Sequence, residues 1–270
     1  LSVLALGSTL ITANANPLAT QYFDQGVEKY DTGNYQGAID DWSRAIEINP
    51  KNALAYYNRG LAKDDLQDYQ GAIADYTKAI EINPQYAIAY GNRGNSKNKL
   101  GDYQGAIADY NKAMEIRPKD AIVYYNRGKA KYGLQDYQGA IDDYTKAIEV
   151  DPKHPFAYYN RGTAKAYLKD YQGAIADYTK AIEINPQYVY AYYYRGNAKS
   201  ELKDYQGAIA DYTKVIELDP QNANAFVANT FVNRGVAREL VNDLEGACRD
   251  WRKAVDLGNN LPAEWVKNQC

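Results

Sequence analysis

A 34-residue period governs what this chain can fold into. Gly26, Gly60, Gly94, Gly128, Gly162 and Gly196 stand 34 residues apart, and Pro50, Pro84, Pro118, Pro152, Pro186 and Pro220 keep the same spacing. A fixed period of this size marks one supersecondary unit per copy; a single unit cannot bury its apolar face, so neighbours must stack. The 28 Tyr against 4 Phe and 1 Met follow from such repetition more readily than from one irregular core. A seventh copy is centred on Gly235, 39 residues after Gly196, so five residues beyond the period (39 − 34) are expected within Asn222–Asn229.

Inside each copy the apolar positions recur at three- and four-residue steps in two runs of about 14 residues, the signature of helices. The runs are separated by Gln/Lys/Gly-Asp, and most units close on Asn/Asp-Pro. Both are turn signals. The expected class is therefore all-α. Gly and Ala at the crossing points let paired helices approach, with large Tyr and Trp filling the space beside them.

The residues carry a family resemblance. An aromatic stands four before each glycine (Tyr22, Tyr56, Tyr90, Tyr124, Tyr158, Tyr192, Phe231). Alanine stands twelve after it (Ala38, Ala72, Ala106, Ala140, Ala174, Ala208, Ala247), and an aromatic four further on (Trp42, Tyr76, Tyr110, Tyr144, Tyr178, Tyr212, Trp251). Over Ala19 to Asn259 this pattern closely resembles the tetratricopeptide family. The resemblance implies a right-handed superhelical solenoid of seven helix-turn-helix hairpins over 19–260, with a capping helix over 261–270. It also implies that the first helix of each pair lines the inner surface.

Two departures from the family stand out. Arg59, Arg93, Arg127, Arg161, Arg195 and Arg234 precede the glycines, and Lys63, Lys97, Lys131, Lys165, Lys199 and Arg238 follow them. Asp41, Asp75, Asp109, Asp143, Asp177, Asp211 and Asp250 lie almost opposite once each hairpin folds. Partly covered charges are normally paired, so an Arg–Asp ladder is expected, Arg127–Asp143 included, rather than an anion-binding stripe. Glycine also enters the first turn of every second helix, from Gly37 to Gly246. There it sacrifices helix propensity; the expected reason is space for the Arg and Lys stems.

On the resemblance, the lining of the inner surface includes Tyr57, Asn58, Asn92, Asn95, Tyr125, Asn126, Lys129, Tyr159, Asn160, Tyr193, Tyr194 and Asn197. Tyrosine supplies broad apolar area with a polar tip, and Asn can pair with both groups of a peptide unit. Such a lining suits an extended or helical segment of another protein, although part of these Tyr pack between helices. Chaperone-type members grip a terminal carboxylate with a lysine that is absent here, where Tyr or Gly stands.

Other functions lack material. His154 has no second His and no Cys near it, against the three ligands a metal needs. The Arg-Gly pairs recur within helices, not in a phosphate-cradling loop. No convergent acid–base or nucleophile set is visible, so neither catalysis nor a cofactor is expected. With 31 basic and 34 acidic side chains, nucleic acid is not expected as a partner. The expected function is a protein- or peptide-binding scaffold, monomeric or weakly self-associating. The alternative is a structural element that stacks through its ends or convex faces.

The two ends speak to location. Leu1 to Ala13 is apolar or small and leads into Ala13-Asn14-Ala15, which fits the apolar core and cleavage site of a secretory signal and is too short to span a bilayer. Residues 1–15 are therefore expected to be the remnant of a signal, the alternative being a first capping helix. At the other end Cys248 lies 11 residues before Asn259 and Cys270 lies 11 after it. Two antiparallel helices folding about that turn would bring the sulfurs together as a disulfide, the alternative being free thiols in a cytoplasmic protein. Together with a likeness to tetratricopeptide proteins of bacteria, cyanobacteria especially, this places the expected location outside the cytoplasm, in periplasm or thylakoid lumen.

Overall fold

The computed structural model describes residues 16–218 and 225–270, so the expected signal remnant at 1–15 lies outside the described residues. Fifteen helices and no strand are present among the described residues. The chain divides into two compact units at Leu134–Gln135.

The first unit contains α1 (Pro17–Asp31), α2 (Tyr35–Ile48), α3 (Ala53–Asp65), α4 (Tyr69–Ile82), α5 (Ala87–Lys99), α6 (Tyr103–Ile116) and α7 (Ala121–Gly133). The second contains α8 (Tyr137–Val150), α9 (Pro155–Tyr167), α10 (Tyr171–Ile184), α11 (Val189–Glu201), α12 (Tyr205–Leu218), α13 (Ala225–Glu239), α14 (Leu244–Asp256) and α15 (Ala263–Gln269). Within each unit every helix packs on the next in sequence. The extra length of the last full hairpin goes partly into α13, which has 15 residues where α11 has 13.

Local chemistry sets the helix ends. Asp68, Asp102, Asp136, Asp170 and Asp243 each cap a second helix by accepting from the glycine amide three residues on. This corrects the expected reason for the first-turn glycines. A Cβ at Gly71 would overlap the Asp68 carboxylate, and the same clash recurs at Gly105, Gly139, Gly173, Gly207 and Gly246. Glycine is needed so that the cap can fold over the amide it satisfies. His154 also caps, its Nδ1 accepting from the Ala157 amide at 3.1 Å.

The pairing of helices is as the pattern implied. Tyr76 is 0% exposed and fills the space over Gly60, where a Cβ would lie 2.8 Å from its ring. Tyr110 on Gly94 and Tyr212 on Gly196 repeat this packing, and Trp42 and Trp251 take the same role on Gly26 and Gly235. Alanines complete the core: Ala55, Ala62, Ala72 and Ala79 are all 0% exposed.

The ladder forms within the hairpins of each unit. Arg59 donates through Nε and Nη2 to the two oxygens of Asp75, and Arg93–Asp109, Arg161–Asp177, Arg195–Asp211 and Arg234–Asp250 do the same. Lys63 adds its ammonium to Asp75 at 2.7 Å, and the equivalent cation recurs at each of these rungs. In the first hairpin Gln25 replaces the arginine, and Lys29 reaches Asp41 at 2.5 Å. Arg127 and Asp143 belong to different units, and their pairing stays an expectation.

At the C-terminus Cys248 on α14 is bonded to Cys270, with Cα atoms 5.5 Å apart. The bond ties down α15, whose Trp265 packs on Trp251 at 5.1 Å between ring centroids. Among the described residues no helix is long and apolar enough to cross a membrane.

Candidate functional site

On a first helix, positions six, three and two before the glycine and one after it are three or four residues apart in sequence, so they share one face. On α3 this face carries Leu54, Tyr57, Asn58 and Leu61. The fold assigns the expected lining residues to three different jobs.

Some join neighbouring hairpins. Tyr57 packs on Tyr76 and Tyr86, with centroids 5.8 and 5.0 Å away, and its hydroxyl accepts from Asn92 Nδ2 at 3.0 Å. Burial pushes the Tyr57 phenol up to about 12, partly offset by that amide. In the second unit Tyr193 repeats the arrangement, packing on Tyr212 and accepting from Asn233 at 3.1 Å. Tyr159 packs on Tyr178, Tyr188 and Tyr194.

Others serve the buried ring of their own hairpin. Tyr110 donates its hydroxyl proton to Asn95 at 2.7 Å, Tyr212 to Asn197 at 2.7 Å, and Tyr178 to Thr163 at 3.2 Å. In the second hairpin Leu61 takes this place, and the fully buried Tyr76 hydroxyl has no partner. Asn58 departs from the expected lining: it is 2% exposed, with its Oδ1 unpaired. One repeat before Tyr57 stands Phe23, so the hydroxyl that accepts from Asn92 and Asn233 in later repeats is missing at the Asn58 step.

Two more keep part of their surface in solvent while packing on neighbouring rings. Tyr194 is 36% exposed. Lys129 lies 5.7 Å over the Tyr125 ring, and partial burial with the nearby Lys99 charge pushes its amine down. Gly91 stands where Tyr57, Tyr125, Tyr159 and Tyr193 stand in other repeats. It opens a cavity of about 330 Å³ between α5, α6 and α7, lined by Asn92, Asn95, Tyr110, Arg117, Asp120 and Asn126 among others.

The sequence reading missed the position six before the glycine. Leu54, Ile88 and Ile122 in the first unit, and Phe156 and Tyr190 in the second, are 42–64% exposed. In the second unit Phe156 packs edge-on against Tyr188, and Tyr190 meets Phe226 at 4.9 Å, leaving an aromatic surface across α9, α11 and α13. The signal was available. Alanine next in sequence is buried at each of Ala55, Ala89, Ala157 and Ala191, so the apolar residue before it cannot face the same way.

A family model described as tetratricopeptide repeat matches residues 53–86, 121–154, 155–188 and 189–222, and a second model of the same description matches 75–108. A model described as TPR repeat matches 26–63 and 94–135. No curated protein matches the chain. Among solved structures, the C-terminal part of a TPR repeat-containing protein from Cytophaga hutchinsonii is 21% identical, covering 90% of this chain and 98% of its own, with a TM-score of 0.76. A tetratricopeptide repeat protein from Parabacteroides merdae is 23% identical over 93% and 98%, with a TM-score of 0.68. YrrB, described as a TPR protein with an unusual peptide-binding site, is 27% identical over 71% and 97%, with a TM-score of 0.61.

Proposed function

The chain belongs to the tetratricopeptide repeat family, and on that premise we propose that it is a non-catalytic scaffold holding a segment of another protein against the exposed face of its first helices. Repeats of this family typically serve protein–protein interaction. The observation that carries the reading is the apolar file. In the first unit Leu54, Ile88 and Ile122, and in the second Phe156 and Tyr190, are exposed at one repeat position. Exposed leucines also recur at the far ends of the first helices (Leu66, Leu100, Leu134, Leu168 and Leu202), but apolar side chains that recur exposed beside the polar lining residues mark an interaction surface more often than singly scattered ones do. Polar groups beside them, Asn126 and Lys129 in particular, supply orientation. The peptide-binding site reported for YrrB, on a similar fold, supports the same use of it.

The Cys248–Cys270 bond supports action in an oxidising compartment outside the cytoplasm. The test is capture by immobilised full-length chain from an extract of the source organism. Ile122→Ser, Phe156→Ser and Tyr190→Ser combined should abolish capture while circular dichroism and melting stay close to those of the parent. An unchanged set of captured proteins would remove the first-helix face as the binding surface.

A further inference from the structure

The cavity beside Gly91 has the form of a missing side chain. Tyr57 lies against Tyr76, Tyr86 and Asn92. One period on, those three neighbours become Tyr110, Asp120 and Asn126, and all three line the cavity. Tyr159 makes the comparison again from the second unit. Its ring neighbours Tyr178, Tyr188 and Tyr194 map, two periods back, onto Tyr110, Asp120 and Asn126. The chain itself therefore shows what fills this space wherever it is filled: a tyrosyl ring.

Polar detail agrees. Asn92 and Asn233 each donate an amide proton to the hydroxyl of the tyrosine one repeat earlier. Asn126 is in the same register, and glycine at position 91 leaves it no such hydroxyl. A Cβ built on Gly91 meets no atom within 4 Å, so the space is open from the backbone outward. Exposed Ile88 and Ile122 also line the cavity. The charge nearby is cationic. Arg117 is on the cavity wall, and Lys99 and Lys129 each lie within about one helical turn of the wall residues Asn95 and Asn126. Asp120 is the acidic lining residue, and its Oδ1 is taken up by the amides of Ile122 and Val123.

We propose that the Gly91 cavity is a receptor for one tyrosine side chain of a partner protein, carried in a segment with acidic residues beside it. The ring stacks into the place left by the absent aromatic, its hydroxyl accepts from Asn126, and the flanking carboxylates meet Arg117, Lys99 and Lys129. This rests on the reading of the first-helix face as a peptide-binding surface and names what one part of it selects.

A random-peptide display library selected on the full-length chain tests it. Recovered peptides should carry a tyrosine with acidic neighbours. Each should lose affinity about tenfold when that tyrosine becomes alanine, and about tenfold on Gly91→Tyr, which fills the cavity with the chain's own ring. Asn126→Ala should reduce a tyrosine peptide to the affinity of its phenylalanine counterpart, a readout that separates hydroxyl recognition from mere packing. Peptides that bind Gly91→Tyr and parent equally, with both chains melting alike, would overturn the tyrosine receptor and leave the peptide-binding reading standing. Recovery of no peptide at all would overturn both.

Discussion

Arg59 grips both carboxylate oxygens of Asp75, at 2.9 and 2.6 Å, and extends its remaining nitrogen 2.9 Å to the Ser43 hydroxyl of the preceding hairpin. One guanidinium thus closes its own hairpin and ties it to the one before. Arg93, Arg161 and Arg195 repeat this through Thr77, Thr145 and Thr179. The aspartates are 3–4% exposed at these four rungs, so each is held by an arginine and a lysine almost out of water.

Removing the anion should therefore be costly. Asp75→Ala leaves Arg59 and Lys63, whose side chains are 18% and 21% exposed, facing each other without a counter-charge. The expected loss is about 2–4 kcal/mol, because a partly buried cation is stranded. Stacked repeats unfold by units, so the loss should appear in amide exchange of α3 and α4 before it appears in the last hairpins. Unchanged exchange there would show that the rung contributes nothing net.

The two tyrosines Tyr76 and Tyr110 should answer differently to the same substitution. Tyr110→Phe removes the donor to Asn95 and is expected to cost about 1 kcal/mol. Tyr76→Phe removes a buried hydroxyl that has no partner and should be neutral or stabilising. Denaturant titration of the two variants side by side reads the difference. Equal costs would mean that the Tyr76 hydroxyl is satisfied.

Alkaline pH should unfold the protein through its tyrosines. Burial raises the Tyr57 phenol from 10.0 to about 12, and burial raises Tyr76, Tyr110, Tyr159, Tyr178 and Tyr212 further. A raised folded-state value means the folded chain holds the proton more tightly than the unfolded one. The associated stability is intact below pH 10 and is lost as pH climbs towards 12, by about 2–3 kcal/mol for Tyr57 alone. Phenolate absorbance from the buried set should rise together with loss of helical signal. Complete phenolate formation with helix content intact would contradict the buried assignment.

Reduction of Cys248–Cys270 should act locally. The bond closes 22 residues, which corresponds to about 3 kcal/mol in the chain-entropy picture. Reduced protein should lose protection in α14 and α15 while the hairpins of the first unit hold. Mass spectrometry of non-reduced protein from its native compartment should find both thiols blocked. Two freely alkylated cysteines would remove the bond and the support it lends to an extracytoplasmic location.

The sequence by itself determined the hairpins, the Arg–Asp rungs found within each unit and the disulfide partner, because each depends on spacing about a single turn. Sixteen residues separate Arg59 from Asp75, and folding about one turn makes them opposite whatever the neighbouring repeats contain. Only the tertiary structure decided which residues of the first-helix face are free. Asn92 is engaged because Tyr57 precedes it by a repeat, Asn58 is buried with Phe23 in place of a tyrosine one repeat before it, and Asn126 faces a cavity because Gly91 precedes it. Each of those outcomes depends on a residue one repeat away, on the reach of a ring and on a single hydroxyl. The role of Gly71 was hidden for a related reason: the sequence shows a turn signal at Asp68, but only coordinates show the Asp68 carboxylate lying where a Cβ would be. Periodicity specifies which side chains share a face, and packing between adjacent copies specifies which of them that face leaves exposed.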